Sequence, residues 1–227
     1  MPLLQFFRST VGLKILMALS GAILFGFVFF HMLGNLQVFE GRDKLNAYAH
    51  FLQSNPELLW PARIVLILAV LTHILAGYGL WWHNKQARPV GYSGNSATQA
   101  SIASRTMAYS GTIVLIFIVF HLLQFTFQTI NANYISYQDS EGRHDVYQMV
   151  VEAFSNPLVA WFYVISVGLL CYHLSHGIAS LFRSLGLSDG MYLPLQVWFA
   201  HIFATIIFLG MVIIPLAVQF HLVTLEP

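Results

Sequence analysis

The chain has very few charged residues and a single cysteine. Asp, Glu, Lys and Arg make up 8% of the 227 residues, against about 25% in an ordinary soluble domain. This composition excludes a soluble globular domain. The net charge of +1 argues against nucleic acid as a partner, because phosphate binding needs a clustered basic surface. The lone Cys171 excludes a disulfide, a cysteine-ligated iron–sulfur cluster and covalently attached haem within this chain.

Long hydrophobic runs take the place of the missing charge. Hydrophobic residues make up 57% of the chain, and the mean hydropathy is +0.69. A helix needs about 20 apolar residues to cross a bilayer, and the first run is too long for a signal peptide and lacks its cleavage site. The sequence therefore predicts an all-α integral membrane protein, with residues 1–227 forming one five-helix bundle. The predicted spans are 13–37, 61–83, 105–130, 157–183 and 197–221.

Polar connectors separate the predicted spans at 40–57, 84–101, 131–148 and 184–194. Basic residues are enriched in cytoplasmic loops. An amino terminus in the cytoplasm places six of the ten Lys and Arg residues inside and four outside. We therefore expect a cytoplasmic amino terminus and a carboxyl terminus on the outer face.

Histidines are the unusual ionisable residues of the apolar runs. Such side chains are costly in a membrane segment and are functional by default. Any one of them is as readily a hydrogen-bonded core histidine as a ligand. Together, however, they supply a histidine to each of four successive spans. This pattern favours histidines that bind a cofactor between the helices. The five are His31, His73, His121, His173 and His176.

Depth in the membrane sorts four of these histidines into two pairs. A rise of about 1.5 Å per residue places His31 and His121 roughly 9 and 13 Å from the outer ends of their spans. The same rise places His73 and His173 roughly 18 and 24 Å below the outer surface. Two histidines at one depth on different helices suit bis-imidazole ligation of a haem iron. We therefore expect two stacked b-type haems.

Zinc is the main rival cofactor. A structural zinc site needs four ligands at one point, whereas these histidines separate into two levels. Gly34, Gly77 and Gly177 follow the histidines of spans one, two and four by three or four positions. Glycine there leaves room for a porphyrin edge, or it serves only close helix packing.

Four stretches of the sequence carry a resemblance to a known family. They resemble the cytochrome b membrane-anchor subunit of succinate:quinone oxidoreductases (succinate dehydrogenase and fumarate reductase), in the single-anchor, five-helix, di-haem branch. The stretches are SGAILFGFVFFHMLGNLQVF (20–39), THILAGYGLWW (72–82), FHLLQF (120–125) and YHLSHGIASLFRSLG (172–186).

The resemblance implies that His31 and His121 are the axial ligands of an outer haem. His73 and His173 are, by the same resemblance, the ligands of an inner haem. The fourth family ligand precedes a glycine by four positions, which selects His173 over His176. His176 is then expected beside the haem, as a propionate partner or a support for the ligands.

The family likeness also implies a complex. A flavoprotein subunit and an iron–sulfur subunit would sit on this anchor in a bacterial cytoplasmic membrane, and the anchor would pass electrons to menaquinone or another quinone. This chain lacks a dinucleotide fingerprint, a cysteine cluster and a Ser-His-Asp arrangement, so we assign it no catalytic residue. The direction of the reaction, and whether the whole complex forms a higher oligomer, stay open.

Polar residues at the two rims are further candidates. Ser9, Lys14 and Arg183 lie at the cytoplasmic ends of spans one and four, where they would contact a haem propionate or the iron–sulfur subunit. Cations that only reach to the membrane surface and set topology are an equal alternative. Five residues near the outer haem level are candidates for a quinone site: Gln37, Glu40, Asp43, Lys44 and Arg63.

Two other functions stay open from the sequence. One is a haem-free anchor or transporter in which intramembrane histidines relay protons. The other is a cytochrome b that anchors a different respiratory oxidoreductase, such as a hydrogenase or a formate dehydrogenase.

Overall fold

The computed structural model describes residues 5–6, 9–87, 102–187 and 190–225. Five of its helices are long and apolar enough to cross a membrane, which confirms the predicted all-α membrane fold. Within the described ranges the extended backbone amounts to one isolated bridge, between Gln138 and His144. The helices are α1 (Thr10–Leu36), α2 (Arg42–Gln53), α3 (Pro56–Gln86), α4 (Ile102–His121), α5 (Val146–Ser155), α6 (Pro157–Ser184) and α7 (Leu193–Gln219).

Polar side chains cap the first turns of two membrane helices. The Ser9 hydroxyl accepts a hydrogen bond from the Gly12 amide at 3.0 Å and begins α1. Asn156 accepts from the Leu158 amide at 3.0 Å and begins α6. Such caps satisfy amide groups that the first helical turn leaves free. The helices α1, α3 and α7 begin three to five residues before the spans predicted from hydropathy, and α3 and α7 do so without a side-chain cap.

The third membrane helix ends earlier than the predicted residue 130. After His121 the backbone widens into a π-helical turn, Leu122–Thr126, and the helical hydrogen bonding then stops. Gln128 follows with a φ of 55°, a left-handed conformation that is uncommon outside glycine. π-helical turns occur frequently at functional sites. The change in backbone geometry begins at the residue after a predicted ligand.

One short helix lies within the predicted connector 40–57, and a second begins at the end of the predicted connector 131–148. α2 and α5 are short, and α5 buries one apolar face, which includes Val150, Val151 and Phe154. Both lie at the end of the bundle where α1 ends and α3 begins. We call residues 42–53 and 131–155 the cap. At 12 and 10 residues, its helices are too short to cross a membrane.

The two halves of the cap are joined at Asp145. This carboxylate is fully buried and accepts hydrogen bonds from Arg42 Nε at 2.8 Å, Asn46 Nδ2 at 2.9 Å and the Gln148 amide at 3.0 Å. Burial alone would raise the pKa of Asp145, but these donors hold the pKa below its usual range. A buried carboxylate is tolerated only with such partners, so Asp145 ties α2 to the start of α5.

α6 occupies the middle of the bundle. It packs against α1, α4 and α7, while α3 packs mainly against α1. The main core includes Phe117, Tyr163 and the fully buried Ile207, and it continues into the cap through Leu45 and Val150. Many large apolar side chains remain exposed on the outside of the membrane helices, as expected where lipid is the solvent.

Candidate functional site: two histidine pairs

The structure brings the four predicted ligands together as two pairs. The rings of His31 on α1 and His121 on α4 have centroids 5.8 Å apart. The rings of His73 on α3 and His173 on α6 have centroids 6.3 Å apart. These are the pairs that depth along the helices predicted. His31 and His121 lie nearer the cap and are called the cap-side pair; His73 and His173 are called the far pair.

The ring spacing suits a metal ion between two imidazoles. A metal takes an imidazole nitrogen at about 2.0 Å, and that nitrogen lies about 1 Å from its ring centre, so two imidazoles on opposite sides of one ion place their centroids about 6 Å apart. Both observed spacings agree with this value. Among the described residues, no group of three or more His, Cys, Asp or Glu side chains converges. The four rings form two separate pairs.

Serine hydroxyls lie behind both rings of the far pair. Ser20 Oγ on α1 is 3.3 Å from His73 Nδ1, and Ser110 Oγ on α4 is 3.1 Å from His173 Nδ1. Both serines are buried. In metal sites the second nitrogen of a ligating histidine is commonly held in this way, so the donor set of the far pair fits a bis-histidine haem.

The cap-side pair has a different support. His121 Nδ1 is 3.3 Å from the Tyr163 hydroxyl, and that hydroxyl donates to Gln124 Oε1 at 2.8 Å. Gln124 belongs to the π-helical turn and is only 2% exposed. On the other side, the Phe27 ring stacks on His31 with centroids 5.2 Å apart. Aromatic rings thus contact both histidines of this pair, and the Tyr163 hydroxyl links His121 to Gln124.

The glycines that follow the histidines are not equivalent. A Cβ atom at Gly177 would have no neighbour within 4 Å, so that position is open, and one at Gly77 would meet only Met17 Sδ at 3.6 Å. A Cβ atom at Gly34 would instead lie 2.9 Å from Cε1 of Tyr48. The expectation that Gly34 leaves free room is therefore wrong. Gly34 admits the Tyr48 ring of the cap helix α2.

Two other glycines, which the sequence interpretation missed, touch the far pair. A Cβ atom at Gly21 would lie 3.3 Å from His73 Cε1, and one at Gly111 would lie 3.3 Å from His173 Cε1. Each glycine follows one of the serines behind the rings. The Ser–Gly dipeptide stands eleven residues before the histidine of its own helix in both α1 and α4. An alignment of these two helices would have shown the repeat.

Ring contacts distinguish His173 from its neighbour His176. The ring that faces His73 belongs to His173. His176 lies three residues further along α6, on the side away from the cap, and is half-buried. The structure thus places His176 near the far pair and outside the contact between its two rings.

The residues predicted at the far rim have separate surroundings. The Ser9 hydroxyl donates to the Phe6 carbonyl at 2.7 Å and accepts from the Gly12 amide, so it serves as a helix cap. Lys14 and Arg183 are exposed at the end of the bundle opposite the cap. The two cations are placed to meet water, headgroups or another protein at that end.

Charged residues predicted for a quinone site have partners in the cap. Glu40 and Lys44 approach to 4.0 Å, and Asp43 accepts from Arg143 at 2.7 Å. Asp43 also lines a cleft of about 250 Å³ in the cap. Exposed ion pairs of this kind contribute little to stability. Within the described residues, the contacts of these charged residues are with one another and with Arg143, and none of them is with the cap-side rings.

Gln37 and Arg63 complete the predicted quinone set. Gln37 begins the 3₁₀ turn Gln37–Glu40 at the end of α1 and is half-buried. Arg63 lies over the Trp60 ring on its own helix, 5.3 Å from the centroid. A cation stacked on an interfacial tryptophan is typical of a membrane surface.

The fold and the site define a multi-pass helical membrane protein with two half-buried histidine pairs between its helices. No family model, curated protein or solved structure matches the chain.

Proposed function

We propose that the chain is the di-haem cytochrome b anchor of a succinate:quinone oxidoreductase. The observation that carries the proposal is the pair of histidine contacts on four successive membrane helices, with ring centroids 5.8 and 6.3 Å apart. Two such contacts would supply two pairs of imidazole ligands at two levels of the bundle. The four stretches that contain these histidines resemble the anchor of succinate:quinone oxidoreductases, and this resemblance is the reason for proposing that complex.

Each pair has a definite role in this proposal. His31 and His121 would hold one haem iron, and His73 and His173 the other. The bound haems supply reversible one-electron transfer. The chain orients the rings through Tyr163, Ser20 and Ser110 and surrounds them with apolar side chains, which keep water from the sites.

The surfaces at the two ends suit two partners. The end opposite the cap carries the exposed Lys14 and Arg183 and would face the iron–sulfur subunit, which in turn carries the flavoprotein subunit. The cap-side pair would exchange electrons with menaquinone or another quinone of the bacterial cytoplasmic membrane. In this arrangement the amino terminus is cytoplasmic and the cap lies on the outer face.

Haem stoichiometry and partner identity test the proposal. The complex purified in mild detergent should contain two b haems per anchor chain in a pyridine haemochrome assay. His31→Ala or His121→Ala should remove one haem, and His73→Ala or His173→Ala should remove the other. His176→Ala is the matched control and should retain both haems.

The contrary outcomes are distinct. One haem or none in the wild-type complex would contradict the di-haem assignment and favour a haem-free anchor or a proton-conducting protein. Mass spectrometry should find flavoprotein and iron–sulfur subunits that oxidise succinate or reduce fumarate. Co-purification with a hydrogenase or formate dehydrogenase instead would retain the haem sites and overturn the choice of complex.

A further inference from the structure

The far pair is supported by an element that occurs twice in the chain. In the first copy, Ser20 and Gly21 on α1 face His73 on α3. Ser20 Oγ lies 3.3 Å from Nδ1 of the ring, and a Cβ atom at Gly21 would lie 3.3 Å from Cε1. The serine and the glycine thus contact adjacent atoms on one edge of the imidazole.

The second copy repeats this geometry between α4 and α6. Ser110 Oγ on α4 lies 3.1 Å from Nδ1 of His173 on α6, and a Cβ atom at Gly111 would lie 3.3 Å from Cε1. Helix packing explains a glycine at one of these positions. It does not explain why the same dipeptide presents a hydroxyl to the same ring nitrogen in both copies.

The direction of these hydrogen bonds follows from the remaining partners of the hydroxyls. Ser20 Oγ is 2.7 Å from the Leu16 carbonyl oxygen, and Ser110 Oγ is 3.2 Å from the Met107 carbonyl oxygen. A carbonyl oxygen only accepts, so each hydroxyl hydrogen is donated to the backbone. This arrangement leaves each hydroxyl oxygen able to accept from the histidine, which favours a hydrogen on Nδ1.

The position of that hydrogen determines which nitrogen is available for a metal. A neutral imidazole with its hydrogen on Nδ1 has its lone pair on Nε2. We propose that Ser20 and Ser110 are positioning residues that fix this tautomer in both far histidines and direct the two Nε2 lone pairs to one haem iron. Gly21 and Gly111 allow the rings to lie close enough for the hydroxyls to reach them.

This inference rests on the proposed haem and predicts a property of it. An acceptor on Nδ1–H makes the opposite nitrogen a stronger donor to iron. A stronger donor favours ferric over ferrous iron, so the two serines lower the midpoint potential of the far haem. The cap-side haem depends on Tyr163 instead and should not respond to the serines.

The test is a potentiometric titration of the purified complex, with haem counted in each variant. Ser20→Ala and Ser110→Ala should each raise the midpoint potential of the same one of the two haem waves, and the double variant should raise it further. Ser20→Thr and Ser110→Thr retain a hydroxyl and should stay near the wild type. Ser175→Ala is the control, because its hydroxyl also donates to a backbone carbonyl, at 2.8 Å, on the helix of His173.

Each further outcome decides the inference. Loss of one haem in the Ala variants and its retention in the Thr variants supports it, because the hydroxyl separates the two sets. Equal losses in both sets would assign the effect to packing and overturn it. Two haems with unchanged potentials in the double Ala variant overturn this inference alone, whereas a wild-type complex without haem overturns the proposed function as well.

Discussion

The Tyr163 hydroxyl joins His121 to Gln124, with the oxygen 3.3 Å from His121 Nδ1 and its hydrogen donated to Gln124 Oε1 at 2.8 Å. Since that hydrogen points to the amide, the phenol oxygen accepts from His121, as the serines do in the far pair. The acceptor of Tyr163 belongs to the π-helical turn that follows His121. His121 is therefore placed to carry its hydrogen on Nδ1, as the far histidines are, but with a tyrosine rather than a serine as its partner.

In the proposed di-haem anchor, Tyr163→Phe should raise the midpoint potential of the haem at the cap-side pair and leave that of the haem at the far pair unchanged. The variant removes the acceptor on His121 and leaves Gln124 buried without its hydroxyl partner, which costs about 1–3 kcal/mol of stability. Redox titration and thermal unfolding measure the two effects. Tyr147→Phe is the control. Tyr147 lies in the cap, and its hydroxyl donates to the Thr224 carbonyl at 3.0 Å and not to a histidine.

Tyr163→Phe and the serine variants together assign each of the two waves in the redox titration to one histidine pair. Tyr163→Phe should move one wave, and Ser20→Ala with Ser110→Ala should move the other. A shift of the same wave in both experiments would contradict the separate supports seen at the two histidine pairs.

Features that depend on residues close together in the sequence could be predicted from it. The five membrane helices follow from the length of apolar runs, and the pairing of His31 with His121 follows from the constant rise along a helix. The cap helices α2 and α5 could not be predicted in this way, because they are short and bury their apolar faces only against each other and the bundle end. The sequence interpretation placed α2 in a polar connector and left most of α5 unassigned, between the 131–148 connector and the next span.

Contacts between distant residues were also beyond the sequence interpretation. The Arg42–Asp145 ion pair joins positions 103 residues apart, and the Tyr48 ring reaches Gly34 only because α2 folds back over α1. The hydroxyls behind the far histidines come from neighbouring helices. Their signal was present as the repeated Ser–Gly dipeptide, but its meaning requires knowing which helices pack together.

Gly21→Ala should reduce the occupancy of the far haem. Its Cβ atom would lie 3.3 Å from His73 Cε1, closer than most real contacts, so the ring must shift by a few tenths of an ångström and weaken its contact with Ser20. Gly26→Ala is the matched control on the same helix, because a Cβ atom there has no neighbour within 4 Å. Ala at that position favours the helix by roughly 0.5–1 kcal/mol.

The haem content per chain and the melting temperature distinguish these two glycine variants. We expect Gly21→Ala to lose haem or melt at a lower temperature, while Gly26→Ala keeps two haems and melts no lower than the wild type. Gly111→Ala repeats the test at the second copy. Equal haem content in all three variants would show that the close approach to the rings is unimportant.

Asp145→Asn should loosen the cap and remove an acid-sensitive part of its stability. The native carboxylate has a pKa below its usual range, so it takes up a proton more readily in the unfolded chain. Its stabilisation is therefore complete above the unfolded pKa of about 3.9 and is lost as the pH falls through the folded value. Asn keeps the size of the side chain but removes the negative charge that pairs with Arg42, a loss of about 1–2 kcal/mol because water screens the 44% exposed guanidinium.

The matched control is Glu141→Gln, which removes one exposed acid from the surface ion pairs of Arg143, worth about 0–1 kcal/mol. Cleavage by a lysine-specific protease after Lys44 at neutral pH should be faster in Asp145→Asn than in the wild type and unchanged in Glu141→Gln. Thermal unfolding between about pH 3 and pH 7 should show a decline below about pH 4 in the wild type and the control, and a smaller decline in Asp145→Asn. A wild-type cleavage rate together with a wild-type pH profile in Asp145→Asn would show that this ion pair does not hold α2 to α5.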